Sequence, residues 1–319
     1  MFSTPPSSDL VMSPKDKENG GFALAIIGCG AMGTSILTGI LNAKAKGAST
    51  DSNINRFIAT VHTMASMELG DDGVLQAMQK ADIVLLSCKP YIIEGILALS
   101  GVKEALVGKL VISVAAGLAV GKMTAALGIA EPTAGKGKER DISPLETTIV
   151  RAMPNLAASF GESNTVVEIS PSMPLSVQNK SIVRYIFGCV GSIVEVGPAQ
   201  YDAAGVLAAA SMAFLTVAID GILDGGVKEG IKRGEGRGIL VRSLKGLVGL
   251  LEGKGDEDED GGRRDGKGKG KGRTGDEIRE QFSSPRGTTI EGLVGLEEDR
   301  VRYAYCRSVV RATKRSLEM

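Results

Sequence analysis

Apolar positions along this chain follow two different rhythms. Over the first two thirds, short continuous apolar runs alternate with segments of helical spacing. Residues 22–27 form an unbroken run rich in Ile and Ala, the pattern of a strand buried on both faces. A glycine-rich turn follows, and 34–43 then sets Ile36, Leu37, Ile40 and Leu41 at helical spacing. Residues 56–62 read as a second strand, 74–80 as a helix, 83–87 as a strand stopped by Pro90, and 92–99 as a helix. A further strand over 110–114 ends in Ala115-Ala116-Gly117. Residues 148–152 and 165–169 are strand-like, 175–190 helical and 192–196 strand-like. Strands alternating with helices predict an α/β fold with a doubly wound, largely parallel sheet over 21–198.

Near Pro198 the strand signals stop. Residues 202–229 and 238–252 read as long Ala/Leu/Gly-rich helices, and 289–317 carries helical periodicity. This predicts an all-helical second domain over 199–319. The longest uncharged apolar run, 203–219, lies between Asp202 and Asp220. It falls short of the ~20 residues that cross a bilayer and reads as a buried helix, so no membrane partner is expected. Three stretches lie outside both rhythms. Residues 1–20 are Ser/Pro-rich and then charged, the composition of a disordered tail without the apolar segment of a secretory signal. Residues 133–140 read as a polar loop. Residues 253–277 join an acidic block, Asp256-Glu257-Asp258-Glu259-Asp260, to alternating Gly and Lys, and are expected to be a disordered insertion.

Composition narrows the function classes. The 319 residues match about two domains at roughly 150 residues each. Lys plus Arg and Asp plus Glu both number 37, and this balance argues against a nucleic-acid partner held by bulk electrostatics. The single histidine, His62, excludes a multi-histidine metal centre. The four cysteines are too scattered for metal-ligand spacing and read as reduced residues of a cytoplasmic protein. No metal is therefore expected.

The candidate chemistry lies in the first turn, Gly28-Cys29-Gly30-Ala31-Met32-Gly33, a GxGxxG between a buried strand and a helix. Gly28 permits the tight turn, Gly30 lets a pyrophosphate approach the backbone, and Gly33 lets helix and strand pack closely. The first N–H groups of the helix then meet phosphate oxygens. NAD-preferring sites usually end the second strand in an acid that bonds the ribose 2′-hydroxyl. Here Val61-His62-Thr63-Met64 carries none. His62 and Thr63 could contact a 2′-phosphate, which favours NADPH as cofactor and leaves NADH open.

Five segments then occur in order: Ile27 to Gly33, Ser87-Cys88-Lys89-Pro90, Ser113-Val114-Ala115-Ala116-Gly117, Arg151-Ala152-Met153-Pro154-Asn155, and Ser284-Pro285-Arg286-Gly287-Thr288-Thr289-Ile290. This series resembles the pyrroline-5-carboxylate reductase family, the last step of proline biosynthesis. The resemblance implies an N-terminal Rossmann domain and a C-terminal helical domain that interlocks with a second subunit in a homodimer or larger homo-oligomer. It implies hydride transfer from NAD(P)H to the C=N carbon of L-1-pyrroline-5-carboxylate, giving L-proline. Ser87, Cys88, Lys89 and Pro90 would flank the cofactor's ribose and nicotinamide. Ala115, Ala116 and Gly117 would line the nicotinamide face, with Asn155 in the adjacent wall. Ser284, Gly287, Thr288 and Thr289 would hold the substrate, and Thr289 would hydrogen-bond the ring nitrogen as the catalytic residue. A related imine reductase, a β-hydroxyacid dehydrogenase using Lys228 or Lys232, and a non-catalytic cofactor-binding paralogue are the alternatives.

The chain departs from the family pattern at three places. Ala209-Ala210-Ser211-Met212-Ala213 stands where the family carries Gly-Ser-Gly-Pro-Ala, so methyl groups and a backbone N–H are added beside the expected pocket. Arg286 stands at a glycine position and would be strained if that position has positive φ. Val74 stands where the family often has asparagine.

Overall fold

A computed structural model describes residues 21–47, 54–60, 72–129, 147–171, 174–254 and 272–319. The expectations for 1–20, 133–140 and 255–271, and those for His62 and Thr63, lie outside the described residues. The described chain divides into two compact units, one of residues 1–211 and 310–319 and one of 212–309.

The first unit is built on a seven-stranded sheet: β1 (Phe22–Ile27), β2 (Ile54–Thr60), β3 (Ile83–Leu86), β4 (Leu110–Ser113), β5 (Thr148–Met153), β6 (Ser163–Glu168) and β7 (Gly191–Val196). Their spatial order is β2-β1-β3-β4-β5-β6-β7, and every adjacent pair is parallel except β5 and β6. The helices here are α1 (Ala31–Ala45), α2 (Asp72–Lys80), α3 (Pro90–Leu97), α4 (Val102–Leu106), α5 (Val120–Ala126), α6 (Val177–Gly188) and α7 (Pro198–Gly205). The expected strands all form, with ends shifted by a residue or two.

Side chains alternate across the sheet with the strand period of two. Ala25, Ile27, Val84, Leu86 and Val111 enter one core with α2, α3 and α5. Leu24, Ile26, Ile83, Leu85 and Ile112 enter the other with Ile36 and Ile40 of α1 and Phe187 of α6. Each such Ile or Leu contributes about 1.5–3 kcal/mol on full burial. Val74 is buried in the first core, so the apolar residue suits its place on α2. The sequence reading missed α4 and α5. Five and seven residues are too short to show a helical repeat, and burial of Val102, Leu106 and Met123 holds these turns in place.

The second unit is helical. It contains α8 (Ser211–Lys228, from Met212), α9 (Arg233–Glu252), α10 (Gly275–Phe282), α11 (Thr288–Glu298) and the first part of α12 (Val301–Leu317). Two expectations are corrected. Residues 272–277 do not belong to a disordered insertion: Thr274 and Glu277 form a reciprocal capping box that starts α10. Arg273 N–H also donates to the Leu250 carbonyl at 3.1 Å, setting residue 273 beside the end of α9. The single helical segment expected over 289–317 is two helices, separated where Arg300 takes a φ of 54°.

The apolar run 203–219 is likewise not a buried helix in the single chain. It belongs to a continuous helix, Pro198–Lys228, long and apolar enough to cross a membrane by length and composition, yet only 17% of its apolar window is buried. Leu215, Val217 and Ile222 stand exposed. Apolar periodicity reports that a face needs cover without saying what covers it.

Candidate active site

The glycine loop is fixed from below and open above. Gly28 has a φ of +82°, and a Cβ there would lie 2.3 Å from Cys88 Sγ and 2.9 Å from its backbone nitrogen. A Cβ on Gly33 would lie 2.6 Å from Ser87 Oγ and 3.1 Å from Ile26 Cγ2. Gly30 differs: its nearest neighbour would be the Gly28 carbonyl at 4.0 Å. Gly30 also begins α1 without a side-chain cap, and Ala31 beside it is exposed. One glycine thus presents bare backbone and a helix N-terminus to open space, and the other two are locked into the sheet. That arrangement fits a dinucleotide pyrophosphate. Cys29 N–H donates to the Thr60 carbonyl at 2.7 Å and Gly28 N–H to the same atom at 3.1 Å, tying the loop to the end of β2. Thr60 was not foreseen, because backbone acceptance carries no side-chain signal.

Ser87 and Cys88 brace this loop. Ser87 Oγ donates to the Ile27 carbonyl at 3.1 Å and the Gly28 carbonyl at 2.8 Å. Cys88 Sγ donates to the Ile27 carbonyl at 3.2 Å, and burial pushes its thiol up to about 11. Cys88 is therefore a neutral packing group at physiological pH and not a nucleophile. Lys89 and Pro90 begin α3, with the Lys89 side chain exposed at the carboxyl end of β3, where open α/β sheets take ligands. Cys29 and Met32 are half-buried around the loop, and the four cysteines are free, Cys306 being the exposed one.

Ala115, Ala116 and Gly117 follow β4 at the same sheet edge. Ala115 and Gly117 are buried and Ala116 is exposed. Gly117 has a φ of +73°, and a Cβ there would lie 2.4 Å from that of Met319.

Asn155, expected in the cofactor wall, is anchored within the protein by both ends of its side-chain amide. It is buried, its Oδ1 accepts from Ala157 N–H at 3.0 Å, and its Nδ2 donates to the Ala208 carbonyl at 2.9 Å. Ala208 lies in a π turn, Val206–Ala210, between α7 and α8, where Ser211 N–H reaches back five residues to Val206. Asn155 thus donates into the π turn, where the regular helical ladder is interrupted. Ala209 and Ala210, on the altered family stretch, lie in this turn.

A buried ion cluster supports the same wall. Arg151 of β5 pairs with Glu168 at 2.8 Å and Asp202 at 3.3 Å, its guanidinium stacked 4.1 Å from the Tyr201 ring centroid. Ser316 Oγ donates to the same Asp202 carboxylate at 2.7 Å. The sequence marks Arg151 as part of a motif, but its partners lie 17 and 51 residues away.

In the second unit, Ser284 to Thr289 form one local structure. Gly287 N–H donates to the Ser284 carbonyl at 2.9 Å, closing a β-turn with Pro285 and Arg286 at its centre. Gly287 starts α11, and a Cβ there would lie 2.4 Å from Ser284 Oγ. Thr288 and Thr289 occupy the first turn of α11 with exposed side chains. Hydroxyls and free N–H groups so gathered suit an anionic ligand. The predicted cofactor residues around β1, β3 and β4 thus meet at one sheet edge, and the predicted substrate residues meet at one helix start.

A glycine-looped parallel sheet followed by a helical unit is the architecture of a nicotinamide-dinucleotide oxidoreductase. Residues 23–117 match the family described as NADP oxidoreductase, coenzyme F420-dependent, and residues 198–319 match pyrroline-5-carboxylate reductase dimerisation. The chain is 32% identical to a pyrroline-5-carboxylate reductase of Lophium arboricola, covering 95% of this chain and 94% of that one. It is 32% identical to that of Neurospora crassa, covering 94% of each. The chain belongs to the pyrroline-5-carboxylate reductase family. The fold agrees: a Plasmodium falciparum pyrroline carboxylate reductase with NADP bound superposes with a TM-score of 0.69 at 22% identity, over 93% of this chain and 97% of that one. A Streptococcus pyogenes 1-pyrroline-5-carboxylate reductase gives 0.70 at 18% identity, over 94% and 99%. The family boundary at 198 and the spatial division at 211 differ, because α7 packs on the sheet through Tyr201 before the helix continues as α8.

Proposed function

We propose that this chain reduces L-1-pyrroline-5-carboxylate to L-proline with NADPH, as a cytoplasmic homo-oligomer. The observation that carries the reading is the likeness to reductases of this substrate along nearly the whole chain, through both the dinucleotide loop and the Ser284–Thr289 turn. NADPH is favoured over NADH by the absence of an acid in Val61-His62-Thr63-Met64 and by the NADP description of the family matched over 23–117.

When bound, the reduced nicotinamide supplies a hydride to the imine carbon. A protonated cyclic imine is already electrophilic, so the chain needs to position and desolvate it rather than activate it covalently. Gly30 and the start of α1 hold the pyrophosphate. Lys89, exposed after β3, would flank the cofactor's ribose and nicotinamide. Ala115 and Ala116 leave the nicotinamide face clear. Ser284 and Thr288 hold the carboxylate, and Thr289 hydrogen-bonds the ring nitrogen, which keeps its proton as the C=N bond becomes C–N. Asn155 acts one step removed, by donating into the π turn.

The matched dimerisation module supports a homo-oligomer, and the exposed apolar faces of α8 and α9 supply the surface for it. The test is NADPH oxidation by the purified chain with L-1-pyrroline-5-carboxylate, with proline identified as the product. Cofactor binding without turnover on any cyclic imine would remove the catalytic reading.

A further inference from the structure

Arg286 occupies a backbone conformation that resists it. Its φ is 60°, at the third position of the turn closed by Gly287 N–H and the Ser284 carbonyl, with Pro285 at the second. Positive φ at that place is the type II arrangement, which takes glycine or asparagine. A side chain there costs on the order of a factor of ten in folding equilibrium relative to glycine. Arg286 is exposed, and among the described residues no carboxylate forms an ion pair with its guanidinium.

We propose that Arg286 is a specificity-determining residue: its guanidinium binds the substrate's carboxylate and so selects carboxylated over uncharged ring imines. This rests on the reading of Ser284 to Thr289 as the substrate turn. Covalent geometry supports it, since Arg286 sits two residues from Ser284 and two from Thr288 in one closed turn. Hydroxyls and backbone N–H groups alone make neutral hydrogen bonds to a carboxylate. A guanidinium adds a planar, charge-assisted pair of donors that an uncharged imine cannot use. The selection is therefore expected to fade at high salt.

The experiment compares the full-length chain with Arg286→Gly and Arg286→Lys on two substrates, L-1-pyrroline-5-carboxylate and unsubstituted 1-pyrroline, at low and high salt. For Arg286→Gly the kcat/KM ratio of carboxylated to uncharged imine is expected to fall about ten-fold or more, mainly through KM, and to lose its salt dependence. Arg286→Lys is expected to retain part of the preference. Glycine relaxes the turn, so the variant is expected to melt higher than the unmodified chain. A ratio and salt dependence unchanged in Arg286→Gly, with the unmodified chain active, would overturn this proposal alone. Loss of the oligomer in that variant, seen by size-exclusion chromatography, would overturn it in favour of an interface role. An unmodified chain inactive on both imines would take down the substrate reading and this proposal together.

Discussion

Among the described residues Thr289 makes no side-chain hydrogen bond, and its hydroxyl stands exposed in the first turn of α11. Thr289→Ala is expected to lower turnover at least ten-fold and leave NADPH affinity within about two-fold, as read by steady-state kinetics and cofactor fluorescence. Unchanged turnover would remove the residue from the mechanism. Cys88 presents the opposite case, a thiol held neutral by its surroundings. Its pKa stands at about 11 against an ordinary 9.0, so the folded state keeps the proton longer than the unfolded chain. The sign follows: this contribution is complete below about pH 9 and is lost as pH rises through about 11. Tyr185, raised to about 12 by burial and its neighbour Cys189, acts in the same direction at higher pH. Denaturant titrations are expected to show stability falling between about pH 9 and 11, and Cys88→Ala to flatten that fall. The residue chemistry in the glycine loop was legible in advance, because GxGxxG is a contiguous string with a mechanism. The roles of Asn155 and Thr60 were not, because their partners are a carbonyl and N–H groups remote in sequence.

Strands and helices depend on each other most visibly where β5, β6 and α7 meet. One guanidinium is shared by two carboxylates there, at 7%, 11% and 11% side-chain exposure. Removing it leaves two buried anions without a counter-charge. Arg151→Ala is therefore expected to cost about 3–5 kcal/mol in chemical denaturation. Arg151→Lys should recover only part, since an ammonium cannot serve both acids with a planar fork. A loss below about 1 kcal/mol would show that water reaches the cluster. At this scale the sequence identified the strands well, because continuous apolar runs of four to seven residues have few other uses in an alternating chain. It missed α4 and α5 and the break at Arg300, since short helices and single left-handed residues leave no periodic trace.

In the whole molecule the largest unresolved demand is the apolar surface of the helical unit. Leu215, Val217 and Ile222 of α8 and Ile239, Val241 and Val248 of α9 are all at least 45% exposed. Exposed apolar side chains in such number call for cover, which a second subunit would supply. Val217→Asp is expected to shift the protein from oligomer to monomer in analytical ultracentrifugation and to reduce activity with it. A stable oligomer in that variant would place the interface elsewhere. The segment between Lys254 and Gly272 is expected to be dispensable. Arg273 is already hydrogen-bonded to Leu250, so a short glycine linker can span the gap. Activity retained on replacing 255–271 would confirm this; lost activity with the helices intact by circular dichroism would assign the segment a function.

The sequence alone determined the order of strands and helices, the dinucleotide loop and the change from sheet to helices near Pro198, and its motifs identified the family. Each is written in neighbouring residues, where periodicity and steric rules act over a few bonds. Only the tertiary structure decided that Gly30 is the open glycine, that Asn155 donates into a π turn, that Arg151 joins Glu168 to Asp202, and that α8 leaves its apolar face uncovered. Those outcomes depend on distances between residues far apart in the chain, and chain order does not encode them locally.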